Sequence, residues 1–172
     1  MSTLELKELS APAGEVIKIA AGKTLDLKSQ GSVTMPTGSV LQVVYSSTTT
    51  EVSTSSSTYA DTGLIATITP TSTSSKILVI WSLQQFMTAN GGHGRTILIK
   101  DSTTLREFGF SIYAGSSTIM GVGSYQYLDS PSTTSATSYK IQFNAGAGTA
   151  HCQYDDGNGE GVSTITLMEI QG

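Results

Sequence analysis

His151 and Cys152 are adjacent in the chain, and together they are the residue types of a thiol nucleophile and its base. Neighbours on an extended strand point to opposite faces, so the two cannot form the hydrogen bond that would activate the thiol. Cys152 is expected to be a small core residue instead. The run "DDGNGEG" supplies Asp155, Asp156, Asn158 and Glu160, oxygen ligands of the kind calcium takes. Their spacing departs from the twelve-residue calcium loop of helix-loop-helix proteins, and a solvated hairpin turn is the simpler expectation. "NGGHGR" at 90–95 is rich in glycine but precedes a strand rather than a helix. It has no helix N-terminus to hold phosphate and is expected to be a loop.

The other candidates are dispersed. His93 and His151 are the only histidines, one in that loop and one on a strand, which suits surface or interface positions better than a zinc site. The carboxylates fall mostly in turns and near the N-terminus, and no pair suggests the two-carboxylate arrangement of a glycoside hydrolase. Tyr59, Tyr113, Tyr125 and Tyr127 could stack on sugars of a host surface. Tyr125 and Tyr127 share one strand face, however, which favours packing in a core or between subunits. The sequence therefore offers no catalytic residue, no metal ligands and no cofactor site, and a non-enzymatic protein is expected.

The elements that must carry these residues are strands. The segment "KILVIWSLQQFM" places Ile77, Val79, Trp81 and Leu83 on one face and Leu78, Ile80 and Phe86 on the other, the pattern of a strand buried on both sides. "SYKIQFN" alternates Tyr139, Ile141 and Phe143 with Lys140, Gln142 and Asn144 and is expected to be half-buried. Further strands are expected at 39–46, 58–69, 95–100, 104–113, 118–128, 149–154 and 162–171, separated by Ser-, Gly- and Asp-rich turns. The implied fold is all-β: an antiparallel two-sheet sandwich, most simply a jelly roll, over residues 38–172.

Residues 1–37 follow a different rule. Glycines at 14, 22, 31 and 38 punctuate short apolar stretches. Ile17 and Ile19, Leu25 and Leu27, and Leu41 and Val43 each stand three and five residues after a glycine. Such an N-terminal segment of short β-strands has no core of its own and needs an external surface. Sister copies wound about a common axis would bury these six residues as subunit or anchor contacts, and an extended arm on another protein would do the same.

Composition narrows the function classes. Charged residues are 13% of the chain, whereas Ser and Thr number 25 each. The net charge is −4 and the few basic residues are scattered, so no basic stripe marks a nucleic-acid partner. A single cysteine leaves no intramolecular disulfide. No apolar run is long enough for membrane insertion, and the N-terminus lacks the charged and apolar regions of a secretory signal, so synthesis and assembly in a cytoplasm are expected.

The order of features resembles small virion proteins of tailed bacteriophages. In that family a Gly-punctuated segment ending in "MPTGSVLQVV" enters a Ser/Thr-rich sandwich, "TGLIATITPTSTSSKILVIWS" forms early strands, and the chain finishes on a strand like "STITLMEIQG". The resemblance implies a homotrimer with a tumour-necrosis-factor-like (TNF-like) jelly-roll knob, located on the virion surface and partnered by a major capsid, fibre or tail protein. It implies a capsid decoration, cement or head-fibre role. The alternative is the receptor-binding tip of a tail fibre, with host surface glycans as a further partner.

Overall fold

The computed structural model describes residues 21–23, 35–88, 91–157 and 161–172, with backbone only at Phe110. The chain divides between Thr34 and Met35 into two units. The expected short strands before Met35, with Ile17, Ile19, Leu25 and Leu27, lie outside the described residues.

From residue 35 onward the protein is a two-sheet antiparallel sandwich. Its strands are β1 (Val40–Thr48), β2 (Val52–Thr54), β3 (Ala60–Ile68), β4 (Lys76–Met87) and β5 (Gly92–Lys100). They continue with β6 (Thr103–Ala114), β7 (Ile119–Asp129), β8 (Thr137–Ala147), β9 (Ala150–Cys152) and β10 (Ser163–Ile170). The back sheet has the order β3-β8-β5-β6. In the front sheet, β4 is flanked by β7 on one side and by β10 and β9 on the other, with β1 beyond β10 and β2 beyond β9. Consecutive strands thus alternate between sheets through most of the chain, which is the connectivity of a jelly-roll-like sandwich.

The core follows from alternation. Ile77, Val79, Trp81, Leu83 and Met87 of β4 meet Leu98 of β5 and Tyr139, Ile141 and Phe143 of β8, all buried between the sheets. Trp81 packs edge-on to Phe108 at 4.9 Å, and Tyr125 lies 5.6 Å from the Trp81 ring. Tyr125 and Tyr127 accordingly pack against the core from β7, as their shared face suggests. Cys152 is wholly buried, and burial pushes its thiol far up. It therefore stays protonated and unreactive.

Three expectations need correction. The glycine-rich stretch read as a loop becomes strand from Gly92, because β5 pairs there with β6 along Gly92–Arg95 and with β8 along His93–Arg95. A Cβ at Gly92 would stand 2.5 Å from the Thr88 carbonyl oxygen, so these glycines permit close backbone approach rather than a turn. The acidic run at 155–161, of which 158–160 lie outside the described residues, does not join two paired strands as a hairpin turn would. Strands β9 and β10 do not pair with each other; both lie along the same side of β4, opposite Gln85–Met87 and Lys76–Ser82 respectively. The strands on either side of the run are collinear, and Gln153 ties the end of β9 to the start of β10. With the Gln153 amide oxygen accepting from Ser163 Oγ at 2.7 Å, its nitrogen donates to the carbonyls of Thr50 (3.2 Å) and Thr62 (3.1 Å). Finally, β4 is buried on its inner face only. Leu78 and Ile80 remain half-buried on the outside, where no described strand covers them, and Phe86 is half-buried beside Tyr154 and His151.

Candidate functional site

The hydrogen-bond register makes the outer face of the front sheet a grid. One row runs Val43, Met168, Leu78, Leu128, and the next runs Tyr45, Thr166, Ile80, Gln126. A third row is Ser47, Thr164, Ser82, Ser124. None of these residues is charged, and several are large and open to solvent: Val43 is 55%, Tyr45 62% and Leu128 52% exposed. At the end of the first row, Leu78, Leu128 and Ile170 line a groove of ≈ 540 Å³ together with Thr37, Gly38 and Lys76. Among the described residues, strand β7 pairs with β4 alone and is an edge. It adds Ile119, Met120 and Val122, all exposed. Of the anchor residues expected from sequence, Val43 stands in this grid. Leu41 sits half-buried at the irregularity in the β1–β10 register between Val40 and Gln42.

The back sheet's outer face is built differently. Its rows are Ile65, Lys140, Ile99, Thr104 and Asp61, Gln142, Ile97, Glu107. Lys140 pairs with Asp61 at 2.9 Å and Arg95 with Glu107 at 3.1 Å, and Gln142 Nε2 donates to Asp61 at 2.8 Å. The hydrogen bond from Lys140 holds the Asp61 carboxyl below the ordinary value. Ile97 and Ile99 are buried among these polar neighbours, whose aliphatic stems supply the cover.

Two polar clusters close the ends of the front sheet. Glu169 is fully buried, at an inward position of β10. Its Oε1 accepts from Thr71 N (2.7 Å), Thr71 Oγ1 (2.7 Å) and Ser75 Oγ (2.6 Å), while Oε2 accepts from Gln42 Nε2 (2.7 Å). Burial alone would push this carboxyl up; the hydrogen bonds from Ser75, Gln42 and Thr71 outweigh it and hold the group below the ordinary range. Glu169 therefore fastens β1, the 69–75 loop and β10 together. At the other end, His151 Nδ1 lies 2.7 Å from Glu51 Oε1, which lowers the Glu51 carboxyl. Phe86 stacks on Tyr154 at 4.1 Å, and His151 meets both rings edge-on.

These clusters are structural ties rather than reaction centres. His151 is turned toward Glu51 on the opposite strand face from Cys152, and His93 belongs to the back sheet. Among the described residues, no three His, Cys, Asp or Glu side chains are grouped to hold a metal ion. What the arrangement can do is present a broad, uncharged surface. The sequence showed the apolar positions but not their lack of cover; the available signal was a strand apolar on both faces in a chain long enough for only two layers.

Fold and surface together define a jelly-roll-like β-sandwich protein with one sheet face left uncovered by the other described residues. The sequence matches no protein-family profile, and no curated protein is significantly similar to it. Solved structures similar in fold include a chain of the T13 particle of infectious bursal disease virus, at 13% identity over 87% of this chain and 40% of that one, with a TM-score of 0.44. Another is the structure of the Gx strain of the same virus, at 14% identity over 86% of this chain and 42% of that one, with a TM-score of 0.41. This chain thus spans about two fifths of the length of these neighbours.

Proposed function

We propose that the protein is a non-enzymatic virion structural protein: a homotrimeric surface appendage that decorates or cements the capsid exterior. The observation that carries this reading is the uncharged three-row grid on the outer face of the front sheet. An apolar grid of this kind is depleted in charge in the same way as the core of a protein interface. It meets another copy without like-charge repulsion. The apolar edge of β7 lies on the same sheet, so the edge of one subunit can pack on the face of the next and close a ring. The resemblance to trimeric phage virion proteins supports a ring of three and placement on a particle. Ile17, Ile19, Leu25 and Leu27, with the N-terminal segment that carries them, are then the anchor to a capsid or fibre protein.

Light scattering on the purified chain tests assembly. Three times the 17.9 kDa chain mass is the expected result, and a monomer at micromolar concentration overturns it. Gold labelling of intact particles tests placement, with label on the capsid expected. Label confined to the tail tip would favour the receptor-binding alternative.

A further inference from the structure

We propose that the two long edges of the front sheet pair with each other between copies: β7 of one subunit adds to β1 of the next as a further antiparallel strand, which turns the grid toward the axis of the ring. This rests on the trimer proposed above and specifies its contact. The partner is a second copy of this chain.

The edges of the sandwich are not alike. The back sheet ends in β3 and β6. Strand β3 carries Asp61 and Gly63, the latter at a φ of 77°, and its pairing with β8 breaks between Asp61 and Ile65. Strand β6 carries Arg106 and Glu107, and its pairing with β5 shifts three times. Charges and irregularities of this kind keep an edge from accepting another strand.

The front sheet's edges lack them. From Gln42 to Thr48, β1 keeps an unbroken register on β10 and has neither charge nor proline. Strand β7 is in unbroken register on β4 along the whole of Ile119–Asp129 and has no proline. Its one charge, Asp129, is buried and paired with Lys100 at 3.0 Å. Pairing would satisfy backbone groups that each edge otherwise leaves to water.

Direction and side-chain parity both fit. The pairs β1–β10, β10–β4 and β4–β7 are each antiparallel, so three reversals leave β7 running opposite to β1. A rotational ring sets every copy in the same orientation about its axis. Strand β7 of one copy therefore meets β1 of the next antiparallel, the ladder the sheet already uses. Each grid row also begins and ends on one face: Val43 with Leu128, Tyr45 with Gln126, Ser47 with Ser124. A junction in this register, or slipped by two residues, continues the grid, whereas a slip of one would turn its side chains over. This match of direction and parity favours the chain's own β1 over an unrelated strand.

Mass and amide exchange, measured on the full chain, separate this contact from the trimer itself. Along an unpaired edge, alternate N–H groups face solvent and exchange fast. The expected result is a trimer by light scattering in which β1 and β7 are protected at both alternate sets, the outward set slowed by at least about a hundredfold. A trimer whose outward β1 or β7 amides exchange freely overturns the edge pairing and leaves the trimer standing. A monomer overturns both, as does a dimer, the product of β7 pairing with its own copy. Cysteine cross-linking supplies a second readout. Within one chain Ser47 and Ser124 stand three strand spacings apart, about 14 Å, beyond the reach of a disulfide. Ser47→Cys is combined in turn with Met120→Cys, Val122→Cys, Ser124→Cys, Gln126→Cys and Leu128→Cys; the native Cys152 is buried and does not compete. A covalent trimer from at least one pair is expected, and none across the series, with the trimer mass intact, overturns the proposal.

Discussion

The two sheets of the sandwich share a core, but their outer faces are finished in different ways. The back sheet covers Ile97 and Ile99 with its own Lys140, Gln142 and Glu107 and pairs its charges at Asp61–Lys140 and Arg95–Glu107. The front sheet places Val43, Leu78, Ile80, Leu128 and Met168 in register with hydroxyl groups and carries no charge across that grid. A face that manages its apolar groups internally suits solvent. One that leaves them open suits a partner, because exposed apolar area gains most when another surface removes it from water. Position in the same fold therefore does not decide role; the finish of the surface does.

The comparison breaks most sharply under charge. Leu78→Glu combined with Leu128→Glu should convert the proposed trimer to monomer, with the mass falling threefold in light scattering. Thr67→Glu on the back sheet should leave the mass unchanged. Equal effects at both faces would remove the distinction.

Glu169→Ala should be the most damaging single change at the front sheet's end, costing about 3 kcal/mol in denaturant unfolding, since Gln42, Thr71 and Ser75 would lose their shared acceptor. A loss well below 1 kcal/mol would show that water replaces the carboxylate.

Acid should act on the same tie. The Glu169, Glu51 and Asp61 carboxyls are all held below their ordinary values. The unfolded chain therefore takes up these protons at higher pH than the folded one, so the stability they provide is present at neutral pH and lost as pH falls below about 4.5. Unfolding followed from pH 7 to pH 3 should show this decline, flattened in Glu169→Gln. Asp61→Asn should matter least. Its partner Lys140 lies on an open surface, and a change under about 1 kcal/mol is expected.

Much of the sandwich was legible in advance because period-two alternation is strong where one face is buried. The inner residues of β4 and β8 were assigned to their faces from sequence alone. The start of β5 was not legible, because Gly92 and Gly94 carry no side chains to alternate and their strand character comes from pairing, Gly92 with β6 and Gly94 with both β6 and β8. The connection after β9 was missed for a related reason: the strand that β9 and β10 both pair with, β4, is distant in sequence, so an acidic glycine-rich run looked like a local turn. Glu169 left a readable trace. It is the charged residue in the inward series Ser163, Ile165, Leu167, Glu169, and a charge in that series requires buried donors. The open front face could be read only as a doubly apolar strand, since exposure depends on how many layers the chain builds.

The tie between the end of β9 and the start of β10 sets how the molecule can vary. Strands β9 and β10 each hold their own register on β4, and Gln153 and Ser163 close the base between them. The length of chain paid out between those two residues is therefore decoupled from the alignment of every strand in the sheet. Lengthening a closed loop adds only slowly to its entropic cost, about 0.6 kcal/mol for each doubling. The exposed residues Asp156 and Gly157 are accordingly the point where new sequence, a foreign epitope or a recognition peptide, can be grafted while the scaffold beneath keeps its architecture.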